Sequence, residues 1–235
     1  MANTKKQVKL IGAFDLFQKS YQLFMENLQL FSLLFLLPLA ATVATTFFVK
    51  PADFSSLSSL GGSQFFSGFI LFRGIAVIFT ILILIVFIML QALLHGLQLE
   101  VARGKTPTFA DIWEIGKKYW LRLFGLSIVV AIVTVIGFIL LIIPGLIMLR
   151  RYYLAPFVMI DRDVSVLEAM RISAAISKPY SWWVWSILGV TVLLEVPGLV
   201  PVVGPFITFI LTSIYSIAPA LRYQELKKLV KVTSL

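Results

Sequence analysis

Apolar residues along this chain occur in two alternating kinds of stretch. In the first kind they recur with helical period: Phe14, Phe17, Tyr21, Phe24 and Leu28 lie three or four residues apart, with Gln18, Lys19 and Gln22 between them. The segments beginning at Thr108 and at Val164 repeat that pattern. In the second kind the apolar run is nearly unbroken, over 28–49, 69–99, 119–143, 146–160, 182–196 and 206–221. At about 1.5 Å per residue the longer runs cross a hydrocarbon core of about 30 Å, while 146–160 is short. Periodicity alone does not say whether the first helix lies in the interface with its aromatic face in the acyl chains or packs on the rest of the protein.

These runs predict an all-α integral membrane protein. It has six transmembrane helices arranged as three hairpins, each preceded by an amphipathic interfacial helix. The units are about 12–101, 108–160 and 165–223 in a single polytopic domain, with short tails at 1–11 and 224–235. Pro38 is expected to kink the first span. The Ser- and Gly-rich segment 50–68 reads as a loop. Two breaks are expected to be structural turns, because proline removes an amide donor and glycine accepts positive φ. They are Pro144-Gly145, and Pro197-Gly198 at the head of the run PGLVPVVGP.

The three amphipathic helices start alike. Gly12 with Asp15, Thr108 with Asp111, and Ser165 with Glu168 each set a good N-cap residue three positions before an acid. At that spacing a capping pair satisfies free amides at a helix start. In the same register Phe17, Trp113 and Met170 correspond, as do the small residues Ser20, Gly116 and Ser173. Together these matches point to a threefold internal repeat.

Composition agrees with the bilayer. Of 235 residues 60% are hydrophobic and 13% charged, too little polar surface for a soluble domain of this size. The absence of cysteine excludes disulfides and thiolate metal sites. A net charge of +9 could indicate nucleic acid, but bases beside apolar spans face anionic headgroups and fix orientation. Of the 20 Lys and Arg, all but Lys50, Arg73, Arg150 and Arg151 fall on the side of both termini under six spans. That places both termini in the cytoplasm.

Few residues carry candidate chemistry. Arg150 and Arg151 sit within the fourth span, and charges at that depth are usually paired or open to a polar cavity. Glu195, two residues before the second Pro-Gly break, is the candidate partner for an intramembrane ion pair; separate snorkelling to the headgroups is the alternative. His95 stands without a second histidine, and Asp161 and Asp163 read as a polar turn rather than a cation site. Trp182, Trp183 and Trp185 fit an interfacial aromatic belt. No phosphate-binding loop, Ser/His/Asp set or dinucleotide fingerprint appears, so no catalytic, cofactor or metal residue is assigned.

The run IIPGLIMLRRYYLAPFVMIDRDVSVLEAMRISAAISKPYSWW carries a Pro-Gly break, an Arg in the next span, an acidic turn and a Glu-Ala-x-x-x-Ser helix. Here these are Pro144, Gly145, Arg150 or Arg151, Asp161, and Glu168, Ala169 and Ser173. This segment resembles the membrane domain attached to some glycerophosphoryl diester phosphodiesterases and related stand-alone bacterial membrane proteins. The resemblance implies a multi-pass protein of the bacterial cytoplasmic membrane. It implies no phosphodiesterase activity, because the His and metal-binding acids of the catalytic barrel have no counterpart in the sequence. Two functions follow as expectations. One is a non-enzymatic accessory or scaffold that engages anionic lipid, with a membrane-protein partner or further copies of itself and no nucleic acid. The other is a small transporter or permease component with a polar path near Arg150, Arg151 and Glu195.

Overall fold

A computed structural model describes residues 10–36, 62–201 and 203–230, and for 62–80 the backbone alone. Every regular element among the described residues is helical. The helices are α1 (Ala13–Glu26), α2 (Gly62–Ala102), α3 (Phe109–Leu140), α4 (Ile142–Tyr152), α5 (Ala155–Arg162), α6 (Val166–Ser177), α7 (Ser181–Glu195), α8 (Gly204–Tyr215) and α9 (Ala218–Leu229). Residues 28–36, after a break at Asn27, are also helical. Among the described residues five segments are long and apolar enough to cross a membrane: Ile81–Ala102, Phe109–Leu140, Ile142–Arg162, Ser181–Leu199 and Gly204–Leu229. Most of the expected first span, with Pro38, lies outside the described residues. The loop expected over 50–68 is helical from Gly62 onward.

Three helices start at the expected cap positions, although α1 has no side-chain capping bond from the Gly12 and Asp15 pair. Gly12, Thr108 and Ser165 are the N-caps of α1, α3 and α6, and their ψ angles are 164°, 164° and 163°. At Thr108 the box is complete: the hydroxyl accepts from the Asp111 amide and the Asp111 carboxylate accepts from the Thr108 amide. At Ser165 only the hydroxyl half is made, to the Glu168 amide. Four residues past each cap a side chain is buried, Leu16, Ile112 and Ala169, and eight past it a small residue is buried, Ser20, Gly116 and Ser173. Phe17, Trp113 and Met170 do not share an environment, since Trp113 is exposed and Met170 buried.

The small residues permit close packing. A Cβ on Gly116 would stand 2.5 Å from the Leu93 side chain of α2, and the Ser173 hydroxyl donates to the Arg151 carbonyl of α4 at 2.7 Å. Helix α3 thus packs on α2, and α6 packs on α4 and α5. Helix α1 packs on α8 and α9, at the other end of the chain. Each capped helix leans on the returning arm of the unit before it in cyclic order, which closes a ring. Inside that ring α2, α5 and α9 touch one another pairwise.

Several boundaries differ from the sequence reading. In the middle unit the amphipathic segment is continuous with the apolar one as the 32-residue α3, so it is no separate interfacial helix. The chain reverses at Leu141, in extended conformation (φ −166°, ψ 155°), and Pro144 and Gly145 lie inside the first turn of α4. Proline is tolerated there because first-turn amides have no intrahelical acceptor. Gly145 does not have positive φ; among the described residues only Gly104 and Asp163 do. Its role is steric, since a Cβ on Gly145 would meet the Phe138 ring at 2.4 Å and one on Gly137 would meet the Gly145 Cα at 2.9 Å. Pro197-Gly198 does form a break, a 3-10 turn over Val196–Leu199, with Gly204 folded against the Pro197 carbonyl.

Two kinks were not expected. The segment Ile142–Arg162 bends at Tyr153-Leu154 and Gly204–Leu229 bends at Ser216-Ile217, and both bends precede an Ala-Pro pair. Pro156 and Pro219 have no amide to give the carbonyl four residues back, so the helix breaks there. Nor do the tails begin where expected. Leu10 is buried and α9 continues to Leu229, with Leu226 in the core.

Candidate functional site

Acidic and basic groups collect where the returning arms meet. Asp161, at the end of α5, has a nearly buried carboxylate that accepts from the Tyr223 hydroxyl and the Lys227 ammonium of α9, each at 2.6 Å. It also accepts from Arg103, just past the end of α2. Arg103 bonds Glu100 as well, and Lys105 bonds Glu100 at 2.6 Å. One carboxylate therefore joins the arms of all three units. Burying it unpaired would be costly, and three donors offset that cost.

A second acid, Asp163, binds α3 through Lys118 and Arg122, both at 2.7 Å. Asp163 is the C-cap of α5 in the left-handed region (φ 52°, ψ 42°), a conformation that Asp and Asn tolerate better than most residues. The hydrogen bond from Lys118, with the positive charges of Lys118 and Arg122 beside it, holds its carboxyl below the usual carboxylate range. A third ionic contact closes the ring. The wholly buried Arg222 donates to Glu225 at 2.6 Å and to the Ile11 carbonyl at 2.8 Å, and its guanidinium lies 5.2 Å from the centre of the Trp183 ring.

Against this internally neutralised set stands a different group of cations. Lys19 on α1, Arg171 on α6 and Lys178 at the end of α6 are exposed, and no carboxylate of the described residues pairs with them. Leu167, Arg171 and Lys178 are four and seven residues apart, which puts them along one helix face. Large apolar side chains are exposed as well: Phe14 at 80% and Phe109 at 44% on two of the capped helices, Leu167 at 72% on the third, and Trp182 at 78% at the start of α7.

The expected pair of Glu195 with Arg150 or Arg151 is not made. Glu195 is exposed at the end of α7, and no ion pair among the described residues joins it to either arginine. Both arginines instead occupy the last turn of α4, where the carbonyl end of the helix dipole favours positive charge. His95 gives its Nδ1 to the Gln91 carbonyl at 2.7 Å and its ring neighbours Phe157. Glu168 lies in the first turn of α6, where its amide donates to the Ser165 hydroxyl but its carboxylate does not complete the expected capping pair. No cluster of three His, Cys, Asp or Glu able to hold a metal ion occurs among the described residues.

Sequence reasoning did not anticipate the roles of Arg103, Arg222, Tyr223 and Lys227. A signal for Arg222 existed: it interrupts an apolar run six residues past the kink, with Glu225 one helical turn on. Comparison of the chain with models of protein families, with curated proteins and with solved structures finds no match.

Proposed function

We propose that this multi-pass membrane protein is a non-enzymatic accessory or scaffold of the cytoplasmic membrane whose capped helices engage anionic lipid headgroups. The division of its cations carries this reading. Lys118, Arg122, Arg103, Lys227 and Arg222 are neutralised by the protein's own carboxylates, whereas Lys19, Arg171 and Lys178 pair with no carboxylate of the described residues, and the exposed Phe14, Leu167 and Trp182 lie within five residues of them in the chain. A cation next to an exposed aromatic or leucine matches a headgroup above and acyl chain below, and each such cation near an anionic surface contributes about 1 kcal/mol. Six spans in three hairpins, with both termini in the cytoplasm, put these helices at the inner leaflet, where anionic lipid and the positive-inside rule coincide. The motif resemblance to the membrane domain of bacterial phosphodiesterases supports the same placement.

The experiment is lipid competition in native mass spectrometry of the intact protein. Phosphatidylglycerol is expected to be retained over phosphatidylcholine, and the triple substitution Lys19→Gln, Arg171→Gln, Lys178→Gln is expected to abolish that preference while leaving the melting temperature unchanged. An unchanged preference in the triple variant, or no retained lipid in the native protein, overturns the reading.

A further inference from the structure

A cavity of about 270 Å³ opens between the returning arms at the level of the two kinks. His95 lies on its wall, eight residues or about 12 Å along the helix from Arg103. Lys19, Arg171 and Lys178 are not among the residues that line the cavity. All three units contribute polar groups: His95 and Gln98 from α2, Tyr153 from the first kink, Thr191 from α7, and Thr212, Tyr215 and Ser216 at the second kink. Among the described residues no Asp, Glu, Lys or Arg lines it.

The hydrogen-bond state of this wall is readable. Thr191, Thr212 and Ser216 spend their hydroxyl protons on carbonyls of their own helices, at 3.0, 2.7 and 2.7 Å. Their oxygens keep lone pairs. Because the His95 Nδ1 faces a carbonyl, that nitrogen carries the proton in the neutral ring, and Nε2 is an acceptor. Tyr215 is 2% exposed, and its hydroxyl has no partner among the described residues. The three hydroxyl oxygens and His95 Nε2 therefore face the space as acceptors, and the Gln98 amide and the tyrosine hydroxyls supply donors. An ammonium could use those acceptors, but no carboxylate of the described residues lines the space to balance it. Polar-walled spaces at breaks in membrane helices serve as ligand sites in transporters, since irregular backbone at that depth is either buried in protein or lines a cavity.

The geometry points to this cavity as a binding site for an uncharged hydroxyl-bearing molecule, which donates to Thr191, Thr212, Ser216 and His95. The hydroxyls can belong to a free polyol or to the headgroup of a neutral lipid. The test uses the full chain in nanodiscs and three probes, namely erythritol, 1,2-dioctanoylglycerol and choline, read by thermal unfolding and by native mass spectrometry. At least one uncharged probe is expected to bind saturably and raise the melting temperature, the erythritol and diacylglycerol arms telling solute from lipid, while choline has no effect. Thr212→Val with Ser216→Ala is expected to weaken that binding about tenfold with the unliganded melting temperature kept. If the double variant does not fold, Ser216→Ala alone must show a measurable loss. A cavity that takes neither uncharged probe and holds water only, or that takes choline equally, overturns the proposal, as does wild-type binding by the variants. Because Lys19, Arg171 and Lys178 take no part, the result is independent of the anionic-lipid assay.

Discussion

Replacing Arg222 with methionine tests the closure of the ring at its most exposed energetic point. The methionine keeps the unbranched stem and most of the packing but removes the guanidinium, so the change isolates the polar contacts. These are the hydrogen bond to the Ile11 carbonyl at 2.8 Å, the ion pair with Glu225 at 2.6 Å and the stacking on Trp183 at 5.2 Å. Removing one partner of a fully buried pair costs about 3–5 kcal/mol because the other charge is stranded. Here Glu225 keeps a side-chain exposure of 19% and can hydrate, and the buried Arg222 Nε makes no bond of its own, so the lower end of that range applies. The expected loss is about 3 kcal/mol, roughly two orders of magnitude in the folding equilibrium. It is measured by reversible denaturant unfolding in mixed micelles, and a double-mutant cycle with Glu225→Gln separates the ion pair from the bond to Ile11. An Arg222→Met protein within about 0.5 kcal/mol of wild type, a change typical of an ordinary surface site, refutes the claim that Arg222 ties the first helix to the last.

Two further outcomes follow from the helix packing and from the acid at the α5 cap. Gly145→Ala places a methyl 2.4 Å from the Phe138 ring and is expected to destabilise the α3–α4 reversal by about 1–3 kcal/mol in the same assay, whereas Gly189→Ala, with open space around its Cβ position, is not. The Asp163 carboxyl titrates below its ordinary value, so its contribution is full above the unfolded value of about 3.9 and is lost as pH falls through that value and the lower folded one. Asp163→Asn, which suits the left-handed backbone equally well, is expected to flatten that part of the acid-unfolding curve, and an unchanged slope counts against the contact with Lys118 and Arg122.

Local chemistry was legible in the sequence where one helical turn contains it. Thr108 with Asp111 needs only a spacing of three to cap a helix, and the same spacing found the starts of α1 and α6. Pro144-Gly145 misled because proline ends helices and also begins them, and only the path of the chain at Leu141 shows which role it plays here. The kinks were written twice, as Leu154-Ala155-Pro156 and Ile217-Ala218-Pro219, but each lies inside a run whose hydrophobicity hides it. Glu195 and Arg150 share an estimated depth along their spans, yet depth says nothing of the direction in which each helix faces. For the same reason Asp161 and Asp163, adjacent in a polar turn, gave no hint that one would hold three arms together and the other would bind α3.

The contact of α1 with α8 and α9 has a consequence for biogenesis. Helix α1 is synthesised long before the helices it packs on, so the emerging chain must shelter Leu16 and its neighbours until about 200 residues have followed. A chain stalled before α9 presents that unsatisfied face to insertases and proteases, which gives the cell a physical mark for telling finished protein from unfinished.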